Sequence, residues 1–129
     1  MNLLLDTSTF LWLNLDRSRL PAAVLTACES DSNRLFVSSV SAWEIAVKNA
    51  AGRLPLPEPP SQFFPARREL IGAAPLPIDE EACLQTGKLP QHDHRDPFDR
   101  MLVCQAILLG LVIVTPDIAF QKYPVRTLW

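Results

Sequence analysis

The sequence predicts an α/β fold: a short parallel sheet of four or five strands with helices on both faces. Three observations lead there. Short apolar runs alternate with longer helical patterns, the layout of strands joined by helical crossovers. Two of those runs, Leu3-Leu4-Leu5 and Leu111-Val112-Ile113-Val114, are continuously apolar, as buried strands are. The 129 residues suffice for one domain with a single two-sided core, and they contain no internal repeat or low-complexity tract.

Residues 2–5 form the predicted first strand, and Thr7 or Ser8 can cap a helix carrying Phe10, Leu11 and Leu13. Pro21 suits the first turn of a second helix, whose apolar side holds Ala23, Val24, Ala27 and Cys28. Asp31-Ser32-Asn33 is a turn cluster, and residues 34–38 read as the second strand. A helix over about 40–51 is closed by Gly52. The proline-rich stretch 54–60 cannot continue it and reads as an extended connector. Residues 61–71 look helical, with Pro65 set to weaken or kink the helix. Residues 74–78 read as a third strand which Pro75 and Pro77 confine to a short or edge position. Asp79 then caps a helix ending near Gly87, and a loop over 89–95 leads to a helix over 97–109 that Gly110 ends. Residues 111–115 are the most strand-like of all, and 125–128 supply a final edge strand.

Composition sets the limits on function. A hydrophobic content of 48% with 20% charged residues is that of an ordinary globular chain. No apolar run approaches the ~20 residues of a membrane span. Met1-Asn2 runs straight into a strand without a basic segment, and the apolar stretch stops at Asp6; this argues against a secretory signal and makes the cytoplasm the expected location. Cys28, Cys83 and Cys104 are odd in number and lack C-x-x-C spacing, so they are expected to be packed free thiols. A net charge of −2 decides little about nucleic acid, because bound metal would cancel part of the acidic count.

Four carboxylates stand where such a sheet gathers its ligands, at strand ends and helix starts. Asp6 ends the first apolar run, and Glu44 lies in Ser41-Ala42-Trp43-Glu44-Ile45. Asp99 opens the helix after Asp96-Pro97-Phe98, and Asp117 follows the 111–114 run. Clustered carboxylates repel one another unless a hard divalent cation such as Mg²⁺ or Mn²⁺ lies between them, which points to metal-dependent phosphoryl transfer. Each acid also has a plainer explanation. Ser41 to Glu44 spells a capping box, Asp96 to Asp99 combines a cap with an acid favoured by the helix dipole, and Asp117 fits a turn after proline. Asp6 has the weakest such alternative, since a carboxylate ending a buried strand needs a partner to offset its desolvation.

The chain resembles PIN-domain proteins, specifically VapC-type toxins. The pieces that carry the resemblance are Leu4-Leu5-Asp6-Thr7, Ser41-Ala42-Trp43-Glu44-Ile45-Ala46-Val47-Lys48, Gly52-Arg53-Leu54-Pro55-Leu56-Pro57, His94-Arg95-Asp96-Pro97-Phe98-Asp99-Arg100 and Val114-Thr115-Pro116-Asp117. They occur in family order over almost the whole chain. The resemblance implies a three-layer αβα sandwich and a Mg²⁺- or Mn²⁺-dependent endoribonuclease, the toxin of a type II toxin–antitoxin module. It further implies an RNA substrate, a small VapB-like antitoxin and a homodimer. Asp6, Glu44, Asp99 and Asp117 take the family's acidic positions, with Asp6 and Asp99 as the foremost metal ligands and Thr115 as a polar neighbour. Ser8 stands where relatives often carry His, and Cys104 where Ala is usual.

Competing readings remain at this level. An aspartyl-phosphate phosphatase would need a second Asp two residues after Asp6, where Ser8 stands. A non-catalytic PIN-like module would bind RNA or a partner without cutting. His92, Asp93, His94 and Asp96 offer a loose separate metal site, although two close histidines in a polar loop are expected to face solvent. Trp12, Trp43 and Trp129 are expected to pack rather than to stack on bases. Arg17, Arg19, Lys48, Arg53, Arg67, Arg68, Arg95 and Arg100 read as surface charge.

Overall fold

A computed structural model of the protein describes residues 1–90 and 94–129. Five parallel strands form one sheet in the order β3-β2-β1-β4-β5. They are β1 (Asn2–Leu5), β2 (Arg34–Ser38), β3 (Ala74–Leu76), β4 (Val112–Val114) and β5 (Arg126–Leu128). Among the described residues the α-helices are α1 (Thr7–Leu15), α2 (Ala22–Glu29), α3 (Ser39–Ala50), α4 (Pro60–Leu70), α5 (Glu80–Gln85) and α6 (Pro97–Leu109).

Strand periodicity divides the core into two layers. Leu3, Leu5, Val112 and Val114 face one way and join Phe10, Val24, Ile45, Phe63 and Phe64 from α1 to α4. Leu4 and Ile113 face the other way and join Leu102, Val103, Cys104 and Ala106 of α6. The result is the expected three-layer sandwich. The proline-bearing β3 is three residues long and lies at one edge, and β5 lies at the other.

Several local expectations need correction. Asp6, rather than Thr7 or Ser8, caps α1, accepting the Thr9 backbone N–H at 2.8 Å. Pro21 occupies the cap of α2 and not its first turn. Pro65 is accommodated within a continuous α4, where Phe63 and Phe64 are buried against Phe10. Ser38 caps α3, so Ser41 and Glu44 sit inside the helix and form no capping box. Cys104 is buried as expected, whereas Cys83 is exposed.

The chain order matters for the site. From the central β1 the sheet grows through β2 and β3 on one side and through β4 and β5 on the other. The crossovers therefore part between β1 and β4, leaving a crevice above their C-terminal ends. No helix among the described residues is long and apolar enough to cross a membrane.

Candidate active site

Asp6 stands at that parting point. It directly follows β1, and its N–H bonds the carbonyl of Val114 in β4 at 3.1 Å. The residue is only 6% exposed. One carboxylate oxygen caps α1, while Thr115 Oγ1 donates to the other at 2.6 Å. Thr9 braces the junction by donating its hydroxyl to Val114 O at 2.9 Å. Burial raises the carboxyl's pKa, with the charge of Glu44 adding to the rise, and the bonds from Thr115 and Thr9 oppose it.

A cleft of about 190 Å³ opens over this carboxylate, and Asp6, Glu44, Asp99 and Asp117 all line it. The four acids singled out in the sequence therefore share one surface. Ser8 lines it too, so the position a phosphatase would fill with Asp is at the cleft without a carboxylate.

Glu44 is buried on α3 and forms an ion pair with Lys48 one turn later. Thr7 Oγ1 donates to Ser41 Oγ at 2.9 Å, joining the start of α1 to α3 beside Glu44. Asp117 is exposed at the rim. Its N–H bonds Thr115 Oγ1 at 3.0 Å, and its carboxylate accepts the Ala119 N–H at 2.9 Å. One threonine hydroxyl thus connects the backbone of Asp117 to the side chain of Asp6.

The two acids at the start of α6 have different partners. Asp96 caps the helix, and a single oxygen accepts the N–H groups of Phe98 and Asp99 at 2.9 and 3.0 Å. Asp99 lies in the first turn, and its Oδ2 is 3.1 Å from His94 Nε2. Burial raises the Asp99 carboxyl to about 7, the charges of Asp96 and Glu44 push the same way, and the His94 contact lowers it.

His94 had been expected to face solvent in a loop. Its side chain is instead only 12% exposed, with Nδ1 2.8 Å from the hydroxyl of buried Tyr123. Arg100 donates to the same hydroxyl at 3.1 Å, so it serves the site's scaffold and is more than surface charge. Ligand atoms of His94, Asp99 and Asp117 lie within 4.8 Å of one another. His92 and Asp93, the other half of the loop considered as a separate metal site, lie outside the described residues. His94 and Lys48 both belong to the quoted sequence motifs, but Tyr123 lies in no motif and carried no signal.

Chemically, the donor set suits a hard divalent cation. Five carboxylates line one small cleft, the four named and Asp96; two of them bind protons more tightly than usual, and the cations nearby among the described residues do not match them in number. A larger recess of about 530 Å³ lies at the opposite, N-terminal edge of the sheet, between Arg17, Arg34 and Gly72. It gathers no comparable set of carboxylates, and the chemistry is better placed in the smaller cleft.

The family model described as PIN domain matches residues 3–125. Ribonuclease VapC16 of Mycobacterium tuberculosis (strain ATCC 25618 / H37Rv) is 43% identical over 47 residues, which make up 36% of this chain. That match spans 33% of the relative, so the chain covers about a third of the length of this curated protein. A structure of VapBC-1 from nontypeable Haemophilus influenzae superposes with a TM-score of 0.70 at 23% identity, covering 99% of this chain and 97% of the other. VapBC2 from Rickettsia felis, bound to a DNA fragment from its promoter, gives 0.73 at 15% identity over 100% and 99% of the two chains. At these identities the two structures establish a shared fold.

Proposed function

Since the chain belongs to the PIN-domain family, we propose that it is a Mg²⁺- or Mn²⁺-dependent endoribonuclease acting as the toxin of a type II toxin–antitoxin module. The observation that carries this reading is the convergence of Asp6, Glu44, Asp99 and Asp117 on one cleft at the sheet's parting point. The ribonuclease relative and the VapBC structures support it. The reading includes an RNA substrate, a small antitoxin, a homodimer and a cytoplasmic location.

When bound, a divalent cation supplies charge neutralisation at the phosphoryl oxygens and a more acidic water. The chain's residues would hold and orient it. Asp6 and Asp99 approach from β1 and α6, each fixed by a neighbour that leaves lone pairs available: Thr115 for Asp6 and His94 for Asp99. Glu44, partly neutralised by Lys48, and Asp117 at the rim complete the acidic wall and can orient water. A hydrolysis of this kind needs no side-chain nucleophile.

The test is RNA cleavage by the purified chain in Mn²⁺, with Asp6→Asn as the control. Asn caps helices as well as Asp does, so α1 should survive while the charge is lost. Cleavage is expected to fall by roughly a hundredfold or more, beyond the ~10–100-fold typical of losing a group that merely supports a metal ligand. Equal turnover by the Asn variant would sink the assignment.

A further inference from the structure

A second recess, about 360 Å³, lies beside the acidic cleft and shares Pro116 and Asp117 with it. Its remaining walls include Ile118, Gln121, Thr127 and Trp129. We propose that this recess is a nucleobase subsite, which takes the base of the RNA nucleotide next to the phosphate held over the acidic cleft. The proposal rests on the ribonuclease reading and extends it to how the strand is gripped.

Three observations select this occupant. The first is continuity: Pro116 and Asp117 form the shared wall, so a strand crossing the cleft at that end must carry its next base over them.

The second is the lining. Trp129 remains 41% exposed although its ring lies 5.9 Å from Trp12, and Ile118 is 77% exposed. An aromatic face with an aliphatic neighbour suits the flat face of any base. Gln121 adds a side-chain amide, both donor and acceptor, and Thr127 adds a hydroxyl, the groups that read a base's edge. Gln121 is exposed and Thr127 half-buried, which leaves both accessible.

The third is charge. The Arg19 guanidinium lies 5.4 Å from the ring of Trp12, the tryptophan whose ring is 5.9 Å from that of Trp129 in the recess wall. Asp16, 3.5 Å away, offsets part of that charge. A cation beside an aromatic pair is what a single-stranded nucleic acid meets in its binding grooves.

The experiment has a binding arm and a cleavage arm. In the first, the affinity of the Asp6→Asn chain for a labelled single-stranded RNA oligomer is measured with and without Trp129→Ala or Trp129→Phe. Losing one stacked base should weaken binding by about tenfold, and Phe should restore most of it. In the second arm, the wild-type chain and Gln121→Ala cut a mixed-sequence RNA pool, and the fragments are sequenced. A base preference at one position beside the cut should flatten in the variant. The proposal is overturned if Trp129→Ala binds within about twofold of its parent, the range of an ordinary surface substitution. It is also overturned if Phe fails to rescue the loss, which would mark general disruption or a surface meant for a protein partner. Should Trp129→Ala fail to fold, the Gln121→Ala profile decides, and an unaltered profile counts against the subsite. If wild-type protein cuts no RNA, the nuclease reading fails while the binding arm still judges the recess.

Discussion

His94 and Asp99 show how one contact can set a carboxylate apart from its neighbour. Asp96 and Asp99 are three residues apart, yet one oxygen of Asp96 takes two helix-backbone N–H groups while Asp99 is oriented by an imidazole. The imidazole is itself held by Tyr123, which Arg100 also contacts. His94→Ala should therefore weaken Mn²⁺ binding by roughly tenfold, the lower end of the effect expected when a ligand loses its support. Tyr123→Phe should give a smaller loss. Titration calorimetry on both variants is the check, and unchanged Mn²⁺ affinity would make the His94–Asp99 contact incidental to metal binding. Asp6 and Asp99 were legible in the sequence because a residue just after a strand or at a helix start has its place fixed by the backbone, whereas Glu44 reaches the cleft from inside α3. The role of His94 was not, because it depends on a Tyr123 ring 29 positions away, on a segment with no motif. Local spacing cannot encode such a meeting.

At the scale of elements, punctuation was easy to read and capping was not. Gly52 and Gly110 follow their helices at φ of 71° and 66°, left-handed conformations in which glycine carries no Cβ penalty. Sequence therefore located those stops closely. Helix starts were misread where a strand passes into a helix without a loop. Ser38 ends β2 and caps α3, and Asp6 follows β1 directly and caps α1, so the first hydroxyl after the strand was not the cap in either case. Pro65 fits because a proline removes one helical bond, while the burial of Phe63 and Phe64 still fixes the turn. The start of α6 separates the two acids, although Asp96 also borders the cleft and its charge acts on Asp99. Asp96→Ser should lose well under ~1 kcal/mol, since Ser caps nearly as well as Asp, whereas Asp96→Ala should lose about 1 kcal/mol. Urea denaturation of both variants measures this, and RNA cleavage should persist in Asp96→Ser. A dead but stable Asp96→Ser enzyme would mean that the metal-binding role had been given to the wrong aspartate.

For the molecule as a whole, the site is a cost that the rest of the fold carries. The sheet's branching order brings Asp6 and Asp99 into a partly dry cleft with like charges nearby, and both carboxyls hold their protons above the usual range. The helix dipole of α6 favours charge at Asp99 and the His94 contact assists it, but burial outweighs them. In metal-free protein the sign is then fixed. Asp99 titrates near 3.8 when unfolded and at about 7 when folded, so between those values the native state binds more protons. Its contribution to stability accordingly falls as pH rises from about 4 to about 7 and stays low above that, with Asp6 acting in the same direction. Asn at position 99 has no charge to desolvate and can still accept from His94. Asp99→Asn should therefore stabilise the metal-free chain at pH 8, by up to roughly 4 kcal/mol if the whole shift is expressed. The gain should vanish near pH 4, and comparing the two proteins at each pH cancels the titrating groups that do not interact with Asp99. Mn²⁺ at pH 8 should reverse the order, raising the melting temperature of the wild type far more than that of the variant, because only ligand binding to the native state adds stability. Denaturant titrations at pH 4, 6 and 8, with EDTA and with Mn²⁺, give all of these quantities. A variant no more stable than wild type at pH 8 without metal would show that the cleft holds its carboxylates without strain, and their convergence on one surface would then be the sole ground for placing a cation there.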